Sequence, residues 1–116
     1  MAAGANKRLR DALYACEELA PFTVGKSLSN YQRENGLRRI VERLLEVIGE
    51  AINQALRIEP ELVESIPDAL VIVGMRNRIA HGYDDLKDEV IWNAATEDSP
   101  ALAINLRALL SDRGGL

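Results

Sequence analysis

Histidine is almost absent from this chain, which holds a single copy at position 81. Chemistry that needs two imidazoles is therefore closed to one copy and requires self-association. The one cysteine, Cys16, excludes an intramolecular disulfide and gives no sign of secretion. Its place among apolar residues of helical spacing marks it as a small core residue rather than a nucleophile. No apolar run approaches the ~20 residues of a membrane span. Residues 1–11 hold no apolar stretch suited to a signal peptide. These absences lead to the expectation of a soluble cytoplasmic protein. A broad basic face is missing too. A net charge of −4 and a pI near 5.0 exclude a sequence-independent nucleic-acid binder that gains affinity by counterion release. They leave room for a local phosphate site, and basic residues do gather at Arg33, Arg38, Arg39 and Arg43 and again at Arg76 and Arg78.

What is present is helical. With 116 residues, 47% hydrophobic and 28% charged, the chain reads as one folded domain over residues 1–116, with a frayed tail at 112–116. Leu9, Leu13, Cys16 and Leu19 recur at helical spacing up to Pro21, where a first helix is expected to stop. Ser27 or Ser29 can cap the next helix. That helix carries an unbroken stripe from Leu37 through Ile40, Leu44, Ile48 and Ile52 to Leu56, opposite Arg38, Arg39, Glu42, Glu46 and Glu50. It is expected to run from about residue 29 or 31 to 57. Gly49 lies inside it, where glycine costs roughly 1 kcal/mol against alanine; either a close helix approach or a chance weak spot accounts for it. Glu59-Pro60 opens a short helical turn ending near Ile66-Pro67. The β-branched run from Ala69 to Val73 suits a strand, but no partner strand exists, so a buried helix ending at His81 or Gly82 is expected. A helix over residues 88–96 comes next, then a last one that Ser99-Pro100 caps and starts. The whole predicts an all-α, antiparallel bundle of four to five helices.

The only histidine sits in Arg76-Asn77-Arg78-Ile79-Ala80-His81-Gly82-Tyr83. On a helix Asn77 and His81 share a face, whereas Arg76 and His81 stand about 140° apart. The two converge only if the backbone leaves α-geometry near His81, and Gly82 is suited to such an end. There the helix dipole favours an imidazolium. An imidazole can take the proton of a ribose 2′-OH or protonate a leaving 5′-oxygen. A guanidinium can hold the phosphate and the extra charge of its transition state. Asn77 can orient the ring or donate to a phosphate oxygen. The surroundings of His81 offer no metal-ligand cluster, and cleavage by 2′-OH attack needs none. Asp84 and Asp85 read as solvated turn residues, and Trp92 as core or interface. The same octapeptide equally reads as a plain helix end, with His81 satisfying carbonyls and the arginines paired to surface carboxylates.

The pattern Arg76-Asn77-x-x-x-His81 resembles the Arg-x4–6-His signature of HEPN domains. Its longer form, Met75-Arg76-Asn77-Arg78-x-x-His81-x-Tyr83, is similar to the HepT group, the toxin halves of HepT–MntA toxin–antitoxin pairs. Glu46-Val47-Ile48-Gly49-Glu50-Ala51, Ile66-Pro67 and Val90-Ile91-Trp92 match the blocks around it, in order, over nearly the whole chain. The resemblance implies a homodimeric helical bundle that joins two motifs across a two-fold contact. It implies metal-independent endoribonuclease activity without a cofactor, with Arg76 and His81 as the catalytic pair and Asn77 supporting them. It also implies that a partner, an MntA-like minimal nucleotidyltransferase antitoxin, transfers AMP to Tyr83 and so blocks RNA by charge and occupancy. Gly82 and Asp84 depart from the group, which often has a larger polar residue and an aromatic there. The competing reading is a non-catalytic helical module that binds a nucleotide or a nucleotidyltransferase subunit.

Overall fold

A computed structural model describes residues 2–81 and 86–116. The order is α1 (Ala2–Thr23), α2 (Leu28–Arg33), α3 (Asn35–Ile58), a 3-10 turn (Pro60–Glu64), α4 (Ala69–Ala80), α5 (Asp88–Asn93), a π turn (Ala94–Asp98) and α6 (Ser99–Asp112). The all-α bundle expected from periodicity is what the chain forms. Among the described residues no helix is long and apolar enough to cross a membrane.

One core is shared by α1, α3 and α6. Leu9, Leu13 and Leu19 of α1 meet Val41 and Ile52 of α3 and Leu106 and Leu110 of α6, all fully buried. At roughly 1.5–3 kcal/mol for each large apolar side chain buried, this contact outweighs any polar interaction in the fold. α1 and α6 run antiparallel: Asn6 meets Arg113 near one end and Glu17 meets Arg107 further along. Cys16 lies in this core, where burial pushes its thiol up to about 11 and keeps it from acting as a nucleophile.

The helix ends differ from the sequence expectation where prolines and caps compete. α1 continues through Pro21 to Thr23. A proline so near the end costs only a last-turn bond, and the turn closes instead at Gly25, in the left-handed region with φ 74°. Ser27 does cap the next helix. Its hydroxyl accepts from the Asn30 N–H at 3.1 Å while Asn30 Oδ1 accepts from the Ser27 N–H at 2.8 Å. The long second helix is nevertheless broken at Glu34, whose extended backbone (φ −101°, ψ 102°) separates α2 from α3 just before the weak helix formers Asn35 and Gly36.

α6 starts at Ser99 with Pro100 in its first turn, as expected, but Ser99 does not cap it. Asp98 and Ser99 keep helical dihedrals, and the Ser99 N–H reaches back five residues to the Ala94 carbonyl. That π turn widens the coil ahead of Pro100 and joins α5 to α6.

Two polar clusters fasten the periphery. Buried Tyr31 donates its hydroxyl to Glu42 at 3.1 Å, stacks on Trp92 with ring centroids 5.6 Å apart, and lies 4.9 Å beneath the Arg38 guanidinium. Arg38 in turn grips Asp88 bidentately at 2.8 and 3.2 Å, tying the start of α5 to α3. This arginine, one of the basic group singled out in the sequence, therefore has a structural role. At the far end Arg113 holds both oxygens of Glu59, at 2.7 and 2.9 Å, and donates to Asn6 at 2.7 Å. Arg10 donates to the Gly115 carbonyl at 2.6 Å. The contacts of Asn6 and Arg10 link residues of the 112–116 segment to α1.

The hydrogen bonds from Arg113 hold the Glu59 carboxyl below the usual carboxylate range, and those from Arg38 do the same for Asp88. Both folded-state values lie below the unfolded ones, so their stabilisation is present above pH ~4–5 and is lost as pH falls through the folded values. Urea titrations from pH 6 to pH 3 should show falling stability, with a shallower slope in Glu59→Gln. An unchanged slope in that variant would count against the Arg113 clasp.

Candidate active site

α4 brings the octapeptide to the bundle, and it does so from the edge. Its backbone packs mainly on α3, with Ala69 its one buried residue. Leu70 and Val71 are 68% and 65% exposed, so the expected buried helix is a helix with an apolar outer face.

Arg76 faces α3 through the glycine that spacing alone leaves unexplained. A Cβ at Gly49 would lie 2.3 Å from the Arg76 Cβ and 2.9 Å from its Cγ, with the Ile72 carbonyl oxygen at 3.2 Å. The missing side chain is therefore what lets α4 approach and seats the stem of Arg76. Close approach, rather than a chance weak spot, accounts for the residue.

The guanidinium at the end of that stem is held twice. It donates to Asn77 Oδ1 at 2.7 Å and pairs with Glu50 Oε1 at 3.4 Å. Glu50 itself accepts from Gln54 at 2.9 Å. That hydrogen bond first, and the nearby Arg76 charge after it, lower its carboxyl from the ordinary range. Arg76 has five N–H donors, so these two contacts leave enough for a bidentate grip on a phosphate. On helical spacing alone Glu50 is a helix-surface charge. Its contact with Arg76 depends on α3–α4 packing, which that spacing cannot reveal.

His81 caps α4 and is exposed. Its N–H bonds to the Asn77 carbonyl at 3.1 Å, an ordinary α-helical bond, and its own dihedrals are φ −92° and ψ 0°. Helical hydrogen bonding thus reaches His81, where α4 ends, while Gly82, the expected point of departure, lies outside the described residues. Arg76 and His81 leave the helix in directions about 140° apart, with Asn77 on the side of His81. Asn77 is the link: its carbonyl receives His81 and its side chain receives Arg76. Arg78 stands between them in the last turn. The modification residue Tyr83, with Gly82, Asp84 and Asp85, lies outside the described residues.

Arg76 also borders an open groove of about 440 Å³ between α1 and α3. Arg8 and Tyr14 line it from α1, and Arg43, Glu46 and Glu50 from α3. Among the described residues no group of three or more His, Cys, Asp or Glu side chains is placed to hold a metal ion.

An all-α bundle that presents an arginine and a terminal histidine on one edge helix has the architecture of a HEPN-type domain. Comparison with known proteins places it further. The family described as Ribonuclease HepT-like matches residues 12–109, and the chain belongs to this HepT-like family. It is similar to the protein named "Putative RNase TTE0752" from Caldanaerobacter subterraneus subsp. tengcongensis, with 28% identity over 88% of this chain and 90% of that one. It is also similar to "Putative RNase MJ1216" from Methanocaldococcus jannaschii, with 25% identity over 92% of this chain and 88% of that one. No solved structure matches the chain.

Gly49→Ala should destabilise the fold by about 1–3 kcal/mol, because the overpacking at Arg76 outweighs the helix-propensity gain. Gly74→Ala, where an added Cβ meets nothing within 4 Å, should instead be neutral or stabilising by up to about 1 kcal/mol. Chemical denaturation of both variants tests this, and equal effects would remove the notch from the account.

Proposed function

We propose that the chain is an endoribonuclease toxin acting as a homodimer, with Arg76 and His81 as its catalytic pair. The observation that carries this reading is the seat of Arg76: a notch at Gly49, a counter-charge at Glu50 and an amide at Asn77 hold a guanidinium at the protein edge without exhausting its donors. The names of the relatives, RNases by description, agree with it.

The reaction is an attack of a ribose 2′-oxygen on the adjacent phosphorus. The P–O5′ bond breaks, leaving a 2′,3′-cyclic phosphate and a free 5′-hydroxyl. One His81 takes the 2′-OH proton, and an imidazolium supplies the proton to the departing 5′-oxygen. Arg76 stabilises the charge of the pentacoordinate phosphorus. No step calls for a metal ion.

Two features favour a dimer. A single chain has one imidazole for two proton transfers, and ideal helical spacing sets Arg76 and His81 about 140° apart on α4. A two-fold contact along the exposed apolar face of α4, at Leu70 and Val71, would set one motif beside the other.

Control by a partner belongs to the same reading. An MntA-like nucleotidyltransferase would join the Tyr83 oxygen to the α-phosphorus of ATP, releasing pyrophosphate and the phenolic proton. The added phosphate would compete for Arg76 and exclude RNA.

Purified dimer should cleave RNA in the presence of a chelator. His81→Ala should lower the rate by about 10²–10⁴-fold, and Arg76→Ala by about 10²–10³-fold. Cleavage indistinguishable between the parent and both variants would sink the assignment and leave a nucleotide-binding module. After co-expression with the nucleotidyltransferase, intact mass should rise by an AMP increment that is absent from Tyr83→Phe. A parent mass without that increment would remove the modification from the proposal.

A further inference from the structure

The groove between α1 and α3 has features the cleavage chemistry does not use. Tyr14 is 55% exposed in its wall, an unusual place for a large ring in a chain with 4% aromatics. Arg43 lines the same groove and, among the described residues, makes no ion pair or hydrogen bond. Arg76 borders it as well, so a ligand lying in the groove is adjacent to the phosphate held at the motif.

Acidic side chains limit what that ligand can be. Asp11 is paired with Lys7 at 3.1 Å and with Arg8 at 3.7 Å, and Glu50 with Arg76 at 3.4 Å. Glu18 and Glu46 stand in the groove wall without an ion-pair partner among the described residues. A run of phosphates or the backbone of a duplex would be repelled there. One phosphate at Arg43 and one base over Tyr14 would not, because a carboxylate accepts hydrogen bonds from the N–H edge of an unpaired base.

We propose that this groove is a subsite for one unpaired RNA nucleotide flanking the scissile phosphate, with Tyr14 as the stacking platform and Arg43 as the phosphate anchor. The inference rests on the ribonuclease reading and narrows its substrate to RNA that is single-stranded beside the cut. It adds an aromatic and a cation on α1 and α3 to a site otherwise confined to α4 and its seat on α3.

The test is binding of a fluorescent single-stranded 2′-O-methyl oligoribonucleotide, which 2′-OH attack cannot cleave, to the otherwise unaltered protein at several salt concentrations. A fully paired duplex of the same sequence is the comparison. Tyr14→Ala should weaken single-strand binding about tenfold, the usual effect of losing one stacked base, while Tyr14→Phe should bind like the parent. Arg43→Ala should weaken binding and reduce the salt slope by about one phosphate's contribution, ~0.7 for a single strand. Arg39→Ala, exposed on the same helix but outside the groove lining, should leave the slope unchanged. Parent protein that binds no single strand, or binds the duplex as tightly, overturns the subsite. So does parent-like binding by both Tyr14→Ala and Arg43→Ala. The two readings fail separately: cleavage of ordinary RNA unaffected by Tyr14→Ala removes the subsite alone, whereas Tyr14-dependent binding without cleavage removes the nuclease alone.

Discussion

The approach of α4 to α3 over Gly49 is the contact on which the candidate site depends. α4 has little else to lean on, since its packing is mainly against α3. At that crossing the Arg76 Cβ occupies the place of a missing side chain. The glycine gives up about 1 kcal/mol of helix propensity, and what returns is position. A long, flexible side chain loses much of its rotamer freedom once its first two carbons are clamped. Glu50 and Asn77 then need only fix the end of it. The ion pair alone would not suffice, because a half-exposed pair contributes about 0–1 kcal/mol. Packing sets where the guanidinium sits, and electrostatics sets how it is turned.

Around that crossing the molecule divides its labour. The buried leucines of α1, α3 and α6 supply the apolar burial. The Tyr31–Glu42–Arg38–Asp88 cluster attaches α5, and the Arg113–Glu59–Asn6 cluster closes the opposite end. Burial and the adjacent Glu42 carboxylate both push the Tyr31 hydroxyl above its usual range, so this phenol stays protonated and donates. These arrangements place no structural demand on the outer face of α4 or on the ring of Tyr14 in the α1/α3 groove, and there the apolar patch and the exposed aromatic are found.

Much of this was legible in the sequence, and the exceptions share a cause. The apolar stripe of α3, the Ser27 cap and the helical reading of the segment around Val71 came from spacing and cap chemistry, both local properties. Gly49 could be flagged but not resolved, because the residue that fills its notch is 27 positions away in the chain (76 − 49). Proline misled once, since Pro21 lies in a last turn, whereas Pro100 stands in the first turn of α6 as its type suggests. At Pro21 the lost hydrogen bond was cheaper than ending the helix. Glu34 broke a helix whose stripe looked continuous, because the stripe begins only at Leu37. For the site, the order of matching blocks identified the family, and the arginine, asparagine and histidine named there sit on one edge helix and its cap. Glu50 and Tyr14 stayed hidden, and Arg43 stood out only as one of a basic group, because their placement arises only where α1, α3 and α4 meet.

The one-sided packing of α4 carries a dynamic consequence. A helix that rests chiefly on one neighbour, with Leu70 and Val71 facing out, belongs to the low-stability end of a fold. Its opening requires only the α3 contact to separate, while the α1–α3–α6 core stays intact. Backbone protection against exchange should therefore be lowest along the helix bearing Arg76 and His81 and highest along α3, its support. Any partner that covers the outer face of α4 would bind a segment still able to adjust. Part of its binding energy would go into stiffening that helix, so docking and order at the motif would be coupled.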